Sequence, residues 1–234
     1  MAITASNLTF GENSVGGVSS QATASISPTS NNLVIVGVSG GTTTQVPTLS
    51  GASMTWVEIA HIGDADFGQH IVTLFRGLAA SPGTGALTID FAGVNQNRIS
   101  WTVDQFSGTD ITGTNGSGAV VQSATFGSSS VTNSSETLNL AALGSANNAA
   151  YGFIFNTGLS TIVAGTGFTE LSNNNGDGEF ESEWAINKTA VAWTWASESS
   201  NYTDCVAIEI KASVAVATRN YIQAPYSLMP DPAW

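Results

Sequence analysis

Apolar and polar residues alternate one by one along most of this chain, in short runs closed by Gly, Ser, Thr, Asn or Pro. In "ALTIDFAG", Leu87, Ile89 and Phe91 share one face and Thr88 and Asp90 the other. "VAWTWAS" sets Val191, Trp193 and Trp195 against Ala192 and Thr194, and "CVAIEIKA" sets Val206, Ile208 and Ile210 against Ala207, Glu209 and Lys211. A period of two is the signature of a β-strand, because successive side chains leave a pleated backbone on opposite faces. No stretch carries a convincing helical period. Strands with one dry and one wetter face predict an all-β fold, an antiparallel β-sandwich. "NNLVIVGVSGG" is apolar on both faces from Leu33 to Val36 and is expected to run centrally. "SPGTG", "TGTNGSG" and "SNNNGDG" supply turns at sandwich-like spacing.

The order of run types occurs twice. "NNLVIVGVSGG", "GASMTWVEIA", "HIVTLFRGL", "ALTIDFAG" and "ISWTVDQFSG" are followed by "NAAYGFIFNTG", "GTGFTELS", "FESEWAINK", "AVAWTWAS" and "TDCVAIEIKA", offset by about 105 to 115 residues. Between them, "SGTDITGTNGSGAVVQSATFGSSSVTNSSETLNL" is polar yet carries strand-like runs, so no plain linker divides the chain. The expected organisation is one sandwich domain over residues 1–212, with a pseudo-repeat of about 30–108 and 146–212. An extended C-terminal arm then covers 213–234.

The succession "NLVIVGVSGG", "LSGASMTWVEIA", "VTLFRGLAASPGTGALTIDFAG", "ISWTVDQFSGTD" and "DCVAIEIKAS" resembles a widespread β-sandwich module of bacterial extracellular proteins and phage structural proteins. The hairpin "SPGTGALTIDF" followed by "QFSGTD" carries most of the likeness, which spans roughly residues 1–212. The resemblance implies a jelly-roll-like sandwich, mostly without assigned activity, and brings no catalytic residues with it.

Composition narrows the function classes. Charged residues are 9% of the chain, well under the roughly 25% usual in soluble domains. Five Lys or Arg face seventeen Asp or Glu, a formal charge of −12. A phosphate backbone or an anionic bilayer requires clustered cations, so neither nucleic acid nor membrane is an expected partner. No apolar stretch reaches the ~18 residues that span a bilayer, and "MAITASNLTFGENS" has neither the basic nor the apolar segment of a signal peptide. A polar surface on a chain without that signal suits a protein made in a host cytoplasm and used in a virion. Cys205, the single cysteine, lies in an apolar run and reads as a buried, inert thiol.

Chemistry-bearing clusters are few. In "NNNGDGEFESEW", Glu179, Glu181 and Glu183 fall on one strand face, opposite Phe180 and Trp184. With Asp177 they form a candidate Ca²⁺ site, since Ca²⁺ takes several oxygen ligands. The spacing is not that of an EF-hand, and a solvated strand face is the plainer reading. His61, Asp64, Asp66 and His70 include Zn²⁺-ligating types, but Gly63 and Gly68 mark a loop tip. No G-x-S-x-G elbow, HExxH or phosphate-cradling Gly loop is present. Nothing in the pattern holds two carboxylates across a cleft, as glycoside hydrolysis requires. The expectation is therefore no enzyme and no obligatory cofactor. Trp193 and Trp195 read as core; on an outer face they would make a sugar-stacking platform.

The last residues, "NYIQAPYSLMPDPAW", break the alternation altogether. Pro225, Pro230 and Pro232 lack amide donors and fix φ, which favours an extended arm and lowers the entropy lost when a partner orders it. Tyr221, Ile222, Tyr226, Leu228, Met229 and Trp234 are interface-anchor types. Together with Pro225, Pro230 and the N-terminal Ile3, Leu8 and Phe10 they form a candidate subunit-docking set. The expected role is a non-enzymatic phage virion protein, with an outer capsid decoration protein as the leading reading. It would act as a homo-oligomer bound to other virion proteins such as a major capsid protein. The competing reading is a tail, fibre or carbohydrate-binding adhesion module that holds a host surface glycan.

Overall fold

The computed structural model describes residues 2–42, 44–64, 70–158, 160–174 and 179–214. Fourteen strands and no helix occur among them: β1 (Thr4–Asn13), β2 (Ser20–Ala22), β3 (Leu33–Gly40), β4 (Thr48–Gly51), β5 (Val57–Asp64), β6 (His70–Leu78), β7 (Leu87–Asp90), β8 (Ile99–Ser107), β9 (Val120–Asn139), β10 (Ala149–Asn156), β11 (Val163–Ala164), β12 (Thr169–Asn174), β13 (Glu179–Ile186) and β14 (Ala190–Ile210). All strand pairings are antiparallel, and the protein is an all-β sandwich.

Two main sheets face each other. One has the order β1-β8-β3-β6-β5 and the other β9-β14-β10-β13-β12. Between them lies the central core, where Leu33, Ile35, Leu74 and Phe106 meet Tyr151, Phe153, Phe155, Phe180, Val206 and Ile208. The approach is close: a Cβ on Gly37 would stand 2.7 Å from the Phe153 ring, so the bare backbone is what admits that ring.

Each sheet is also covered on its outer face. Over the first lies a small sheet, β2-β7-β4, whose Leu87 and Ile89 pack on Val34, Val36, Val38, Trp101 and Val103. Over the second, the cover is made by its own longest strands. The start of β14 pairs with the end of β9 and with β11, whereas the later part of β14 pairs with the start of β9 and with β10. Register shifts between Thr194 and Thr203 mark the bend that carries the ribbon from one layer to the other. Trp193, Val191 and Trp195 thereby fold onto Ala150, Ile154, Cys205 and Ala207. A Cβ on Gly152 would sit 2.5 Å from Trp193, so this strand too is stripped to backbone where the cover presses on it.

Sequence patterning therefore placed the strands but underestimated the layers. β3 and β10 are buried along their whole length, and the faces expected to be wetter are dry over much of both main sheets. "GASMTWVEIA", taken as a single run, divides into β4 and β5 around a turn in which Ala52 and Ser53 have positive φ (52° and 49°). "TGTNGSG" forms the turn between β8 and β9.

Candidate functional site

The acidic strand β13 alternates as its sequence predicts, with Phe180 and Ser182 toward the central core and Glu179, Glu181 and Glu183 on the opposite face. That face is not solvated. All three glutamates are buried, and the start of β14 and the segment at β11 lie over Glu181 and Glu183. Glu181 accepts a hydrogen bond from the Trp193 indole N–H. Oε2 of Glu183 accepts from the Gly165 amide at 2.7 Å, and the Ala192 amide also bonds this carboxyl.

Among the described residues no Lys, Arg or His forms an ion pair with either carboxyl, and burial is the largest influence on both. The Glu183 carboxyl is pushed up to about 8 by burial, with the Gly165 and Ala192 amides pulling the other way. Glu181 is raised well above the carboxylate range, first by burial and then by Glu183, while the Trp193 bond opposes. Burial thus favours the proton-bound form of each carboxyl, and the two side chains serve as polar pegs between β13 and its cover. Oε1 of each has no hydrogen-bond partner among the described residues. Asp177 lies outside the described residues. Among those described, no three His, Cys, Asp or Glu side chains are grouped so as to hold a metal ion. His61 is exposed and bonds Glu58 at 2.6 Å, while Asp66 lies outside the described residues.

A second buried carboxylate sits between the main sheets. Asp104, on β8, accepts from Asn7 (2.8 Å), Tyr151 (2.8 Å) and Thr102 (3.2 Å), and Ser182 also bonds it. Ser172 extends the chain of hydroxyls, donating to Thr102 at 2.9 Å and sharing a 2.8 Å bond with Ser182. Burial raises the Asp104 carboxyl, against all four of these bonds, and the Tyr151 phenol is pushed well above its usual value by burial and by Asp104. Such a satisfied network fixes how the sheets seat on each other. Sequence reading missed it, because in "ISWTVDQFSG" the residues Ser100, Thr102 and Asp104 look like a wet face.

The docking candidates fall into two groups. Tyr221, Ile222, Pro225, Tyr226, Leu228, Met229, Pro230 and Trp234 lie outside the described residues. Of the N-terminal three, Ile3 is 3% exposed and packs in the central core, so its side chain is taken up within its own chain. Leu8 packs partly buried on the first sheet's outer core. Phe10 is 47% exposed, with its ring edge-on to Phe180 at 6.3 Å.

Val214, Val121 and Ile111 are exposed apolar residues. Val121 and Val214 line a hollow of about 510 Å³ with Val120, Asn148 and Lys211. Ile111 and Ser213 line a neighbouring hollow of about 350 Å³ with Ala2, Asn31 and Gly108. Trp193 and Trp195 are core residues, as their alternation predicts, and provide no sugar platform; Cys205 is fully buried. No family model, no curated protein and no solved structure matches this chain.

Proposed function

We propose that this protein is a non-enzymatic structural component of a phage particle, an outer capsid decoration protein that stabilises its assembly through subunit contacts. The observation that carries this reading is the apolar surroundings of the point where the arm begins. Val214, Val121 and Ile111 are 77%, 51% and 57% exposed and stand beside two adjoining hollows. Exposed apolar side chains grouped in this way are characteristic of contact surfaces. The residues beyond them are rich in proline and aromatics.

The resemblance to phage structural modules and the low, acidic charge point the same way. Many modest contacts of this kind, repeated over a shell, sum to a large effect. The test is a chain truncated after Ala212, added beside the full-length protein to particles that lack it. Co-sedimentation of the full chain and loss of the truncated one is the expected result. Equal retention of both sinks the docking role, and absence of the protein from purified particles by mass spectrometry sinks the virion role.

A further inference from the structure

The two main sheets have the same strand order when β1, β8, β3, β6 and β5 are replaced by β9, β14, β10, β13 and β12. Covers correspond as well: β7 pairs β2 and β4, and the start of β14 pairs the end of β9 and β11. β3 and β10 are both eight residues long, so Leu33 answers to Ala149 and Gly37 to Phe153. Registers then map the neighbours: Asp104 to Ile208, Thr102 to Val206, Leu74 to Ser182 and Ala60 to Ser172. Even an irregularity is repeated. The β5–β6 ladder shifts register between Glu58 and Ala60, and the β12–β13 ladder between Glu170 and Ser172, the equivalent place. Bulges favour edge strands such as β5 and β12, and what the two sheets share is the position of the bulge along the ladder.

The contact between the sheets follows a two-fold axis. β1 lies beside β12 and β5 beside β9, which are equivalent contacts. Gly37 meets Phe153, its own equivalent, as a residue on a two-fold axis must. Every described ladder joins strands of one half. Among the described residues, backbone bonds between halves are confined to the end where the chain crosses over, such as Asp110 to Lys211 and Ser213 to Gly108.

We propose that the chain is a duplicated folding unit whose two copies pair as the subunits of a two-fold dimer do, through a face that sequence divergence has made one-way. A symmetric dimer would set Phe against Phe, or Gly against Gly, on its axis; here a ring fills the space left by a glycine. One flank of the face is polar, with Asp104, Tyr151, Thr102, Ser172 and Ser182. The positions equivalent to these five are all apolar: Ile208, Ile35, Val206, Ala60 and Leu74. Each half thus fits the other and not a copy of itself, because self-pairing would place Asp104 against Ile35 or clash two Phe153 rings. This inference does not rest on the virion reading.

The test is a protease site placed in the Thr112–Gly118 turn of the full chain, with the same site in the Asn187–Thr189 turn inside one half as the comparison. Cut between the halves, the protein is expected to run as one 1:1 particle at about 1 μM, where an interface of ordinary affinity is saturated. After denaturant is removed it should recover that particle, with a midpoint that rises with protein concentration; the uncut chain should show no such dependence. The comparison cut is expected to refold with at least severalfold lower yield. Separation of the fragments after the first cut, or equal recovery from both cuts, would overturn the proposal, as would fragment self-pairing in place of 1:1 pairs.

Discussion

Replacing Glu183 by Gln should remove most of one pH-dependent term from the stability of this fold. In the folded chain this carboxyl binds its proton up to about pH 8, whereas its ordinary value is 4.5. Between those values the folded state holds a proton that the unfolded state has released, so stability falls as pH rises through this window. The interval is 8 minus 4.5, or 3.5 units, and at ~1.4 kcal/mol per unit it corresponds to roughly 5 kcal/mol. Gln keeps a carbonyl oxygen for the Gly165 and Ala192 amides and has nothing to ionise. Its new N–H₂ group near the unpartnered Oε1 position introduces an offset of about 1–3 kcal/mol, but that offset is the same at every pH. The quantity to measure is therefore the difference between variant and parent in urea unfolding, followed by tryptophan fluorescence from pH 4 to 9. That difference should move in the variant's favour by several kcal/mol, with most of the change below pH 8. Parallel curves would refute the buried, protonated state of Glu183, and a difference moving the other way would mean that the carboxyl is stabilised as an anion.

Further outcomes follow from the same geometry. Gly152→Ala places a methyl 2.5 Å from both Trp193 and Val191, so thermal unfolding should show a loss of about 1–3 kcal/mol from overpacking; a Gly152→Ala, Trp193→Phe pair should recover part of it. Asp104→Asn turns an amide N–H₂ toward donors from Asn7, Tyr151, Thr102 and Ser182 and should cost about 1–3 kcal/mol by denaturant titration, more than Tyr151→Phe, which removes one donor. Lys211 bonds Asp110 at 2.7 Å and, with Thr112, lowers that carboxyl from 3.8 to about 2. The contribution is present above pH 4 and fades as pH falls toward 2. Because the lysine side chain is 43% exposed, Asp110→Asn should cost no more than about 1 kcal/mol and flatten the acid limb of the stability curve.

How much of this was legible beforehand depended on where the covering residues came from. Leu87, Ile89 and Phe91 are buried and Thr88 and Asp90 exposed, as strict alternation predicts, because β7 is a cover strand with solvent behind it. The same rule fails for Glu181, Glu183 and Glu209, whose wet-looking faces are closed over by distant segments. Asn148, Gln122 and the Gly144 amide surround Glu209, against its own burial, and hold it lower than usual. A strand pattern states which residues share a face; it does not state whether another layer lies beyond that face. One signal was available for β13. Aligned on the first half, Glu179 and Glu183 take the places of Ile71 and Phe75, both buried. The Asp104 network was hidden for a related reason: its partners come from β1, β10, β12 and β13, and only the packing of the two halves assembles them.

In the second half, β9 and β14 each run without interruption through both the main sheet and its cover, over 20 and 21 residues, whereas the first half assigns those layers to separate strands. A cover strand such as β7 can fray while β8 stays seated, because loop residues intervene. The leading part of β14 has no such break, and losing it would pull on the ladder beneath. Amide hydrogen exchange should accordingly find graded protection across the two layers of the N-terminal half, and a single cooperative opening, shared by Trp193 and Ile208, in the C-terminal one.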